Sequence, residues 1–275
     1  MSAEINGDIR LSIAQRLDYL VRNFFRNFSH GNGRLRQQPF CAMRLQRTPV
    51  MASPSRALTE AFLYMRLPEM LPLGNVRVLE IGCGSGSLTR ILADIGYSGK
   101  YVGVDIDDRF DRTVQPEFEK VFVHTDVNRF EPEGKFDLVI SVSALEHIPG
   151  DPQLIPRLFE AVKPSGLQLH FVPNGWGLLV YLWHGYRQYT SASLAKIFNP
   201  DRTTLFAMGG AASFMLHFLF ITIGEILLRL RLRQRLPRLY GRLLDGCLKL
   251  DRLIPVCATM YAVCQVAAPA PGEHP

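Results

Sequence analysis

The stretch VLEIGCGSGS, residues 78–87, decides the fold of this chain. The apolar residues at its start are typical of a buried β-strand, and the segment that continues it, SLTRILADIG, has a helical pattern. Gly82, Gly84 and Gly86 lie between the two, where glycine permits a tight turn and a close approach of the backbone to a ligand. The stretch therefore predicts a strand, a binding loop and a helix in succession.

Short β-rich runs and helical stretches alternate along the chain from residue 76 onward. Alternation of this kind, with apolar strands, predicts a mostly parallel sheet covered by helices on both faces. The predicted strands are residues 76–82, 101–106, 121–126, 136–142, 167–174, 203–209 and 259–267.

The N-terminal part of the chain has a different pattern. Residues 9–28 carry apolar residues at three- and four-residue steps, which predicts an amphipathic helix. Residues 29–53 are interpreted as an irregular linker. Ser53 followed by Pro54 is typical of a helix start, and this helix is predicted to end near Leu67, before the next proline.

Composition narrows the class of protein. Of the 275 residues, 47% are apolar and 20% are charged, which excludes global disorder. The five cysteines include no CxxC pair, so neither a zinc module nor a disulfide framework is predicted, and a reducing compartment fits them. The segment MSAEINGDIR contains acids and no apolar run, so no secretory signal is predicted there.

The net charge of +6 is unevenly distributed. Residues 1–74 carry ten bases and five acids (+5), residues 75–174 ten bases and fifteen acids (−5), and residues 175–275 eleven bases and five acids (+6). Basic flanks are compatible with binding to nucleic acid. The acidic middle third contains the residues that indicate chemistry, which makes nucleic acid the weaker interpretation.

The glycine loop and the acid before it indicate the kind of ligand. The spacing is GxGxG, because Ser87 stands where the dinucleotide fingerprint GxGxxG needs its third glycine. Glu80, two residues before the first glycine, would repel a pyrophosphate. A carboxylate there suits a ligand with an ammonium and a sulfonium group, such as S-adenosyl-L-methionine (SAM).

Acidic residues at the ends of the next two strands support this interpretation. Asp105 ends the second strand and can accept hydrogen bonds from ribose hydroxyls, with Asp107 and Asp108 as alternatives. Asp126 ends the third strand, where an adenine amino group could be bound. Ligands of open α/β sheets bind at these strand ends, so the acids are predicted to line one site.

Together these motifs resemble those of class I SAM-dependent methyltransferases, in the broad small-molecule group of the type 11/12 kind. VLEIGCGSGSLT, YVGVDID, FDLVISVSALEHI and VKPSGLQLHFVPN match the loose pattern EIGCGxG, GVD, FDxVxxxxxLEHI and LKPxG. The resemblance implies an α/β, Rossmann-like, seven-stranded, mostly parallel sheet with helices on both faces and an antiparallel last strand. It implies SAM as the cofactor, bound by Glu80, Gly82, Cys83, Gly84, Gly86, Asp105, Ile106, Asp126, Val127 and Ser141.

The residues after the fourth strand bear on the acceptor. Relatives that methylate planar exocyclic amines have an Asn/Asp-Pro-Pro-aromatic signature where this chain has residues 141–144, SVSA, which disfavours methylation of DNA bases at nitrogen. His147 is a candidate general base, with Glu146 as a second catalytic candidate, although His147 could instead shape the cofactor pocket. Ser143 replaces the first glutamate of the EVxEH motif with which some relatives bind a divalent metal, so no metal is predicted.

Two further histidines are interpreted differently. His170 lies on an apolar strand and is predicted to be a core residue. His184 belongs to the aromatic and polar segment 183–189, which is predicted either to cover the acceptor or to pack under a loop.

An apolar run, residues 211–228, precedes an arginine-rich one in the last third of the chain. A membrane-spanning helix needs about 20 apolar residues, and one here would separate the last strand from the sheet. We therefore predict a helical insertion at about 210–255, and 211–242 is interpreted as a hydrophobic acceptor lid, a membrane-surface patch or a solvated basic helix end. The arginines are Arg229, Arg231, Arg233, Arg235, Arg238 and Arg242.

The sequence thus predicts an N-terminal helical extension with its linker, residues 1–53, and a SAM-dependent methyltransferase domain, residues 54–275, which contains the insertion. The predicted acceptor is a small molecule, with a glycan- or lipid-linked one included, methylated at oxygen. The alternatives are a non-catalytic SAM-binding partner domain and a nucleic-acid methyltransferase. The predicted location is the cytoplasm, with the membrane surface left open.

Overall fold

A computed structural model describes residues 5–28, 35–42 and 51–269. The described residues form one sheet of eight strands in the order β1-β7-β8-β6-β5-β2-β3-β4. All neighbouring pairs are parallel except those that β8 makes with β6 and β7. The strands are β1 (Arg36–Phe40), β2 (Asn75–Ile81), β3 (Ser98–Asp105), β4 (Phe118–His124), β5 (Phe136–Val142), β6 (Val162–Pro173), β7 (Thr203–Met208) and β8 (Met260–Val266).

The predicted mostly parallel sheet and its antiparallel last strand are confirmed. The strand count differs, because β1 lies in the segment that was predicted to be an irregular linker. Its sequence, RQQPF, has little strand pattern of its own, and its pairing depends on the edge of β7, where Gln37 is opposite Leu205. Pro39, which has no N–H to donate, is tolerated because β1 is an edge strand.

Helices cover both faces of the sheet, as predicted. Successive residues of β2, such as Val78 and Leu79, belong to two different buried clusters, one on each face. α2 continues three residues beyond the predicted end at Leu67, with Pro68 inside the helix. The first six helices are α1 (Ile13–Phe28), α2 (Pro54–Met70), α3 (Leu88–Ile95), α4 (Asp151–Glu160), α5 (Gly177–Tyr181) and α6 (Ser191–Leu194).

The predicted helical insertion lies between β7 and β8. It consists of α7 (Ala211–Leu216), a π-helical segment (His217–Leu227), α8 (Leu232–Arg235) and α9 (Pro237–Leu250). None of the helices within the described ranges is long and apolar enough to cross a membrane. The division of the chain at residue 53 stays a prediction.

Candidate active site

The glycine loop lies at the carboxyl edge of the sheet, where the strand order reverses. β2 has β3 on one side and β5 on the other, so the chain crosses over β2 between β4 and β5. Ligands of open α/β sheets bind in the crevice at such a switch point. The topology therefore brings the ends of β2, β3, β4 and β5 around one crevice.

The backbone of the loop has conformations that favour glycine. Gly82, Gly84 and Gly86 have φ angles of 67°, 53° and 75°, all in the left-handed region. A Cβ added to Gly82 would lie 2.4 Å from the Cβ of Ala144, whereas one added to Gly84 would meet no described atom within 4 Å. The space in front of Gly84 is therefore open to a ligand.

Asp105 is tied to this loop. Its Oδ2 accepts a hydrogen bond of 2.7 Å from the Gly84 amide, and its Oδ1 accepts one of 2.9 Å from the Asp107 amide. The two alternative acids pair with arginines instead, Asp107 with Arg109 and Asp108 with Arg112. Asp105 is thus the carboxylate that faces the loop.

Glu80 lies buried at the end of β2. The Tyr101 hydroxyl donates a hydrogen bond to its Oε2. Burial raises the pKa of Glu80 to about 8, and the nearby Asp105 carboxylate acts in the same direction, while the Tyr101 hydrogen bond opposes them. A cationic group bound beside Glu80 would lower this pKa and hold the carboxylate in its ionised form.

Two cavities open beside the glycine loop and share Gly82, Gly84 and Ser143. The larger has a volume of about 730 Å³ and extends over the ends of β3 and β4. The smaller has about 350 Å³ and extends toward α2, where Ser55 and Thr59 line it. Volumes of this order suit a small molecule, since ligand sites measure about 300–1,000 Å³.

Most of the predicted cofactor residues meet at these cavities, but Gly86 and Ser141 line neither. A Cβ on Gly86 would lie 2.7 Å from the Phe122 ring, so this glycine serves the packing of the loop. Ser141 is fully buried, with its Oγ 2.7 Å from Nδ1 of His170. The eight that line a cavity are Glu80, Gly82, Cys83, Gly84, Asp105, Ile106, Asp126 and Val127.

His170 is the buried residue that the sequence predicted. It is fully enclosed, and burial lowers its pKa to about 3, so the ring is neutral at physiological pH. It lines neither of the two cavities beside the loop.

Three side chains from distant parts of the chain meet beside the larger cavity. Oδ2 of Asp8 lies 2.7 Å from Nδ1 of His147, and Oδ1 of Asp8 lies 3.0 Å from Nδ1 of His184. The two imidazole rings are 4.6 Å apart at 80°. Each residue offers a ligand atom within 4.8 Å of the others, so this Asp8–His147–His184 cluster could hold a metal ion.

The surroundings of Asp8 and His184 determine which of them is charged at neutral pH. Although burial alone would raise the pKa of Asp8, the Gly185 amide and His147 bring it below its ordinary value. Burial, together with the neighbouring His147, lowers the pKa of His184, although Asp8 opposes the shift. At neutral pH Asp8 is therefore an ionised acceptor, and His184 is a neutral ring.

The sequence profile of a family described as methyltransferase domain matches residues 35–202, which include the glycine loop, Asp105, Asp126 and His147. The chain belongs to this methyltransferase family. The predicted enzyme class and its cofactor, SAM, are confirmed at the level of the family.

Two curated relatives of this methyltransferase are trans-aconitate 2-methyltransferases. One, from Escherichia coli O139:H28 (strain E24377A / ETEC), is 27% identical over 110 residues, which cover 38% of this chain and 43% of that protein. The other, from Variovorax paradoxus (strain S110), is 33% identical over 126 residues, which cover 44% and 45%. The match therefore spans less than half the length of these relatives.

A solved structure is similar over nearly the whole methyltransferase. The [4+2]-cyclase SpnF aligns with a TM-score of 0.51, at 12% sequence identity, over 98% of each chain. At this identity the similarity concerns the fold alone.

Asp8 is a residue of the candidate site that sequence reasoning missed. It lines the larger cavity together with Asn6, although it precedes the glycine loop by more than 70 residues. The Gly185 amide donates to its Oδ2 over 3.1 Å, and the Gly7 amide donates to the Gly185 carbonyl over 2.7 Å. No local pattern around Asp8 indicates these contacts. Tyr186, from the segment that was predicted to cover the acceptor, also lines the cavity.

Glu146 lines neither cavity beside the loop and is almost fully buried. Its Oε1 lies 3.9 Å from Nε2 of His147, and its Oε2 has no hydrogen-bond partner among the described residues. Burial raises the pKa of Glu146 to about 8, to which the Asp8 carboxylate adds. A catalytic role for Glu146 stays a prediction.

This burial predicts a dependence of stability on pH. The folded protein holds the Glu146 proton more tightly than the unfolded chain, so the contribution of Glu146 to stability is full below pH 4.5 and is lost as pH rises toward about 8. We expect Glu146→Gln to flatten this decline and to raise the free energy of unfolding near pH 8 by roughly 2–4 kcal/mol, at about 1.4 kcal/mol for each pKa unit. Urea unfolding across the pH range measures it.

The control for this measurement is Glu160→Gln, which removes an exposed carboxylate. Its stability should follow that of the wild type at every pH. A Glu146→Gln variant with the same pH slope as the wild type would show that Glu146 does not carry the raised pKa.

Proposed function

We propose that the chain is a SAM-dependent methyltransferase that methylates a small-molecule acceptor at oxygen. The observation that carries this proposal is that the Asp8–His147 pair faces the cavity lined by the glycine loop and Asp105. SAM, when bound, supplies a methyl group that its sulfonium already activates. The protein then has to align the acceptor and take up a proton.

The residues beside the loop fit this cofactor. Asp105 accepts two backbone hydrogen bonds, and because a carboxylate has about four acceptor sites, it keeps capacity for ribose hydroxyls. Ile106 and Val127 are apolar walls of the larger cavity and would flank the adenine. Glu80 and the open space in front of Gly84 suit the ammonium end.

The contact between Asp8 and His147 supports a base and, with it, an oxygen acceptor. An ionised Asp8 accepts the Nδ1–H of His147, which leaves Nε2 as the basic nitrogen. A hydroxyl bound in the cavity would give its proton to Nε2, and its oxygen would become the nucleophile. A hydroxyl needs such a base because it becomes a good nucleophile only as it loses its proton, whereas a neutral amine is a nucleophile without one.

We propose that the Asp8–His147–His184 cluster works without a metal. Each carboxylate oxygen of Asp8 lies within hydrogen-bond distance of one imidazole Nδ1, at 2.7 Å from His147 and 3.0 Å from His184, and these contacts hold the cluster together without an ion. Zinc and other transition metals would compete with those protons for the same nitrogens. A chelator such as EDTA should therefore leave turnover within about twofold of its untreated value.

The apolar insertion supports an acceptor with an apolar part, such as a lipid-linked one. Its π-helical segment packs on α5, where the Thr222 hydroxyl donates to the Val180 carbonyl over 2.6 Å and the rings of His217 and Tyr181 lie 5.1 Å apart. The segment that leads from α5 to Tyr186 and the cavity is thereby joined to a largely apolar element. We propose that this element borders the path of the acceptor.

A peripheral contact of residues 211–242 with a membrane is part of the proposal. Arg233 does not take part, because it pairs with Glu225 at 2.6 Å and donates to the Met51 carbonyl at 2.8 Å. Arginines near an anionic surface contribute about 1 kcal/mol each. The exposed arginines are Arg229, Arg231, Arg235, Arg238 and Arg242.

Two other functions predict different results. A non-catalytic SAM-binding partner would bind SAM without consuming it, and a fold neighbour that is a cyclase shows that the fold is not confined to methyl transfer. A nucleic-acid methyltransferase would bind RNA or DNA in a salt-dependent way. Labelled SAM incubated with fractionated cell extract distinguishes the three, because our proposal expects label in lipid, glycan or small-molecule fractions and none in RNA or DNA.

We expect Asp105→Ala to weaken SAM binding by about 30-fold, since charge-assisted hydrogen bonds contribute about 1.5–3 kcal/mol. NAD should bind neither protein, because the loop lacks the GxGxxG spacing. Calorimetric titration of both ligands measures this. Asp108→Ala, a neighbouring exposed acid, is the control and should bind SAM like the wild type. Equal binding of NAD and SAM to the wild type would refute the cofactor assignment.

A further inference from the structure

The orientation of α1 is opposite to that of an ordinary amphipathic helix. Its buried residues are Tyr19, Asn23 and Asn27, two amides and a tyrosine, each with a polar group that is hydrogen-bonded or buried. At about 100° per residue, five apolar residues, at positions 13, 17, 21, 24 and 28, fall within an arc of about 80° on a different side of the helix from the buried residues. This side faces solvent, since Ile13 is 79% exposed, and the neighbouring Phe25 is 69% exposed. The exposed apolar residues of α1 are Ile13, Leu17, Val21, Phe24, Phe25 and Phe28.

Hydrogen bonds of the buried side hold α1 in this orientation. The Tyr19 hydroxyl donates to the His184 carbonyl over 2.8 Å and accepts from Nε2 of Gln188 over 3.0 Å. Nδ2 of Asn27 donates to Oε1 of Gln188 over 3.1 Å. A helix that rolled its apolar face inward would leave the buried Gln188 side chain without these partners, which is costly. The outward direction of the apolar face is therefore part of the fold.

A chain of aromatic rings joins α1 to the insertion. Phe28 lies 5.4 Å from Trp176, and Trp176 lies 6.1 Å from Phe214. Phe214 in turn stacks on Phe218 at 6.1 Å. The exposed Met215 and Leu219 lie on the same insertion. The apolar faces of α1 and of the insertion are thus one surface, which we call the α1–insertion surface.

The charge of this surface selects its partner. Residues 211–242 carry six arginines and one glutamate, and five of these arginines are exposed. On α1, by contrast, Arg22 pairs with Asp18 and Arg16 lies over the Trp183 ring. A twofold dimer through this surface would place like charges against each other, because such an interface uses the same patch on both subunits. The cations of the surface are therefore the exposed arginines of the insertion, and apolar side chains together with exposed cations are the arrangement of elements that lie in a membrane interface.

We propose that the α1–insertion surface docks the protein on an anionic lipid surface, with α1 as its principal apolar element. The proposal extends the membrane contact of residues 211–242 to α1. It rests on the proposed function only where it concerns a lipid-linked acceptor. α1 is bonded through Tyr19 to His184, and Asp8, five residues before α1, lines the large cavity. Docking would thus hold the cavity close to the interface, where a lipid-linked acceptor resides.

The test is sedimentation of the full chain with vesicles of phosphatidylcholine, with and without phosphatidylglycerol. We expect the wild type to sediment with the anionic vesicles, and the triple variant Leu17→Gln, Phe24→Gln and Phe25→Gln to lose about tenfold in partitioning, because these exposed side chains enter the interface. High salt, ~0.5 M, should release the wild type in part only, since it screens the arginines and leaves the apolar contact.

A matched control removes three exposed apolar residues elsewhere, by Leu73→Gln, Val114→Gln and Val121→Gln. It should partition like the wild type. SAM titration of each variant separates the two proposals, because loss of vesicle binding with intact SAM affinity concerns the surface alone. Equal partitioning of the α1 variant and the wild type would overturn the proposal. The proposal would also be overturned if the wild type did not bind vesicles but formed dimers, and if the α1 variant did not form them. A second copy of the chain would then cover the surface.

Discussion

Gly84→Val should lower SAM affinity by at least about 100-fold while the protein stays folded. A Cβ at this position meets no described protein atom within 4 Å, and Gly84 lines both cavities beside the loop. The valine side chain would therefore occupy space that only a ligand needs. The φ angle of 53° adds some backbone strain, roughly 1–2 kcal/mol. Calorimetry for SAM and thermal unfolding for stability measure the two effects separately.

A matched control separates strain from lost space. Gly74 also has a positive φ, 128°, and an added Cβ there meets no described atom within 4 Å, but the residue lines neither cavity. Gly74→Val should lower the melting temperature by several degrees, because a strain of about 1–2 kcal/mol shifts it by that amount, and should bind SAM like the wild type. If Gly84→Val bound SAM as tightly as the wild type, the ligand would have to bind elsewhere, and the assignment of the cofactor to this loop would be wrong.

His147→Ala should reduce turnover by about 10²–10³-fold and leave SAM affinity nearly unchanged, because a general base contributes about 10²–10⁴-fold to the rate. The reason is geometric. Asp8 holds Nδ1 of His147, and the ring lines the cavity in which the acceptor would be bound. Steady-state kinetics with the acceptor pool identified by labelled SAM provides the measurement, and binding of SAM is titrated in parallel.

Two variants accompany this experiment. Ile148→Ala truncates a side chain of the same cavity wall that cannot accept a proton. The turnover of this variant should fall by less than about tenfold. Asp8→Asn should slow turnover, because an amide can donate as well as accept and no longer fixes the His147 tautomer. Loss of SAM binding in His147→Ala would assign the ring to the cofactor pocket. An unchanged rate would indicate an acceptor that arrives ionised.

The contrast between Glu80 and Ser141 shows what a sequence motif can and cannot predict about the position of a side chain. Glu80 was assigned to the cofactor from its place before the glycine loop and Ser141 from the family resemblance, and each is the last residue but one of a buried strand. Glu80 lines the smaller cavity, whereas Ser141 is enclosed and bonds to His170 on the neighbouring strand. Side chains alternate between the faces of a strand, so a one-residue difference in position decides between the site and the core.

What the sequence determined by itself is the strand–loop–helix unit, the mostly parallel sheet and the acids at the strand ends. These follow from short-range rules, because Gly82, Gly84 and Asp105 are brought together by one βαβ unit whose geometry hardly varies. The sheet could be predicted from alternating apolar runs, as could the antiparallel last strand from the family resemblance. The residues that we propose for the cofactor could therefore be predicted largely from the sequence.

What only the tertiary structure decided are the contacts between residues far apart in the chain. Asp8 and His147 are 139 positions apart, and no local signal links them. β1 becomes a strand because β7 offers an edge, and α1 turns its apolar face outward because Gln188 and the His184 carbonyl bind its polar one. Such contacts depend on which surfaces the fold brings together. Periodicity predicts that a face is apolar, and the packing of the whole chain determines what that face meets.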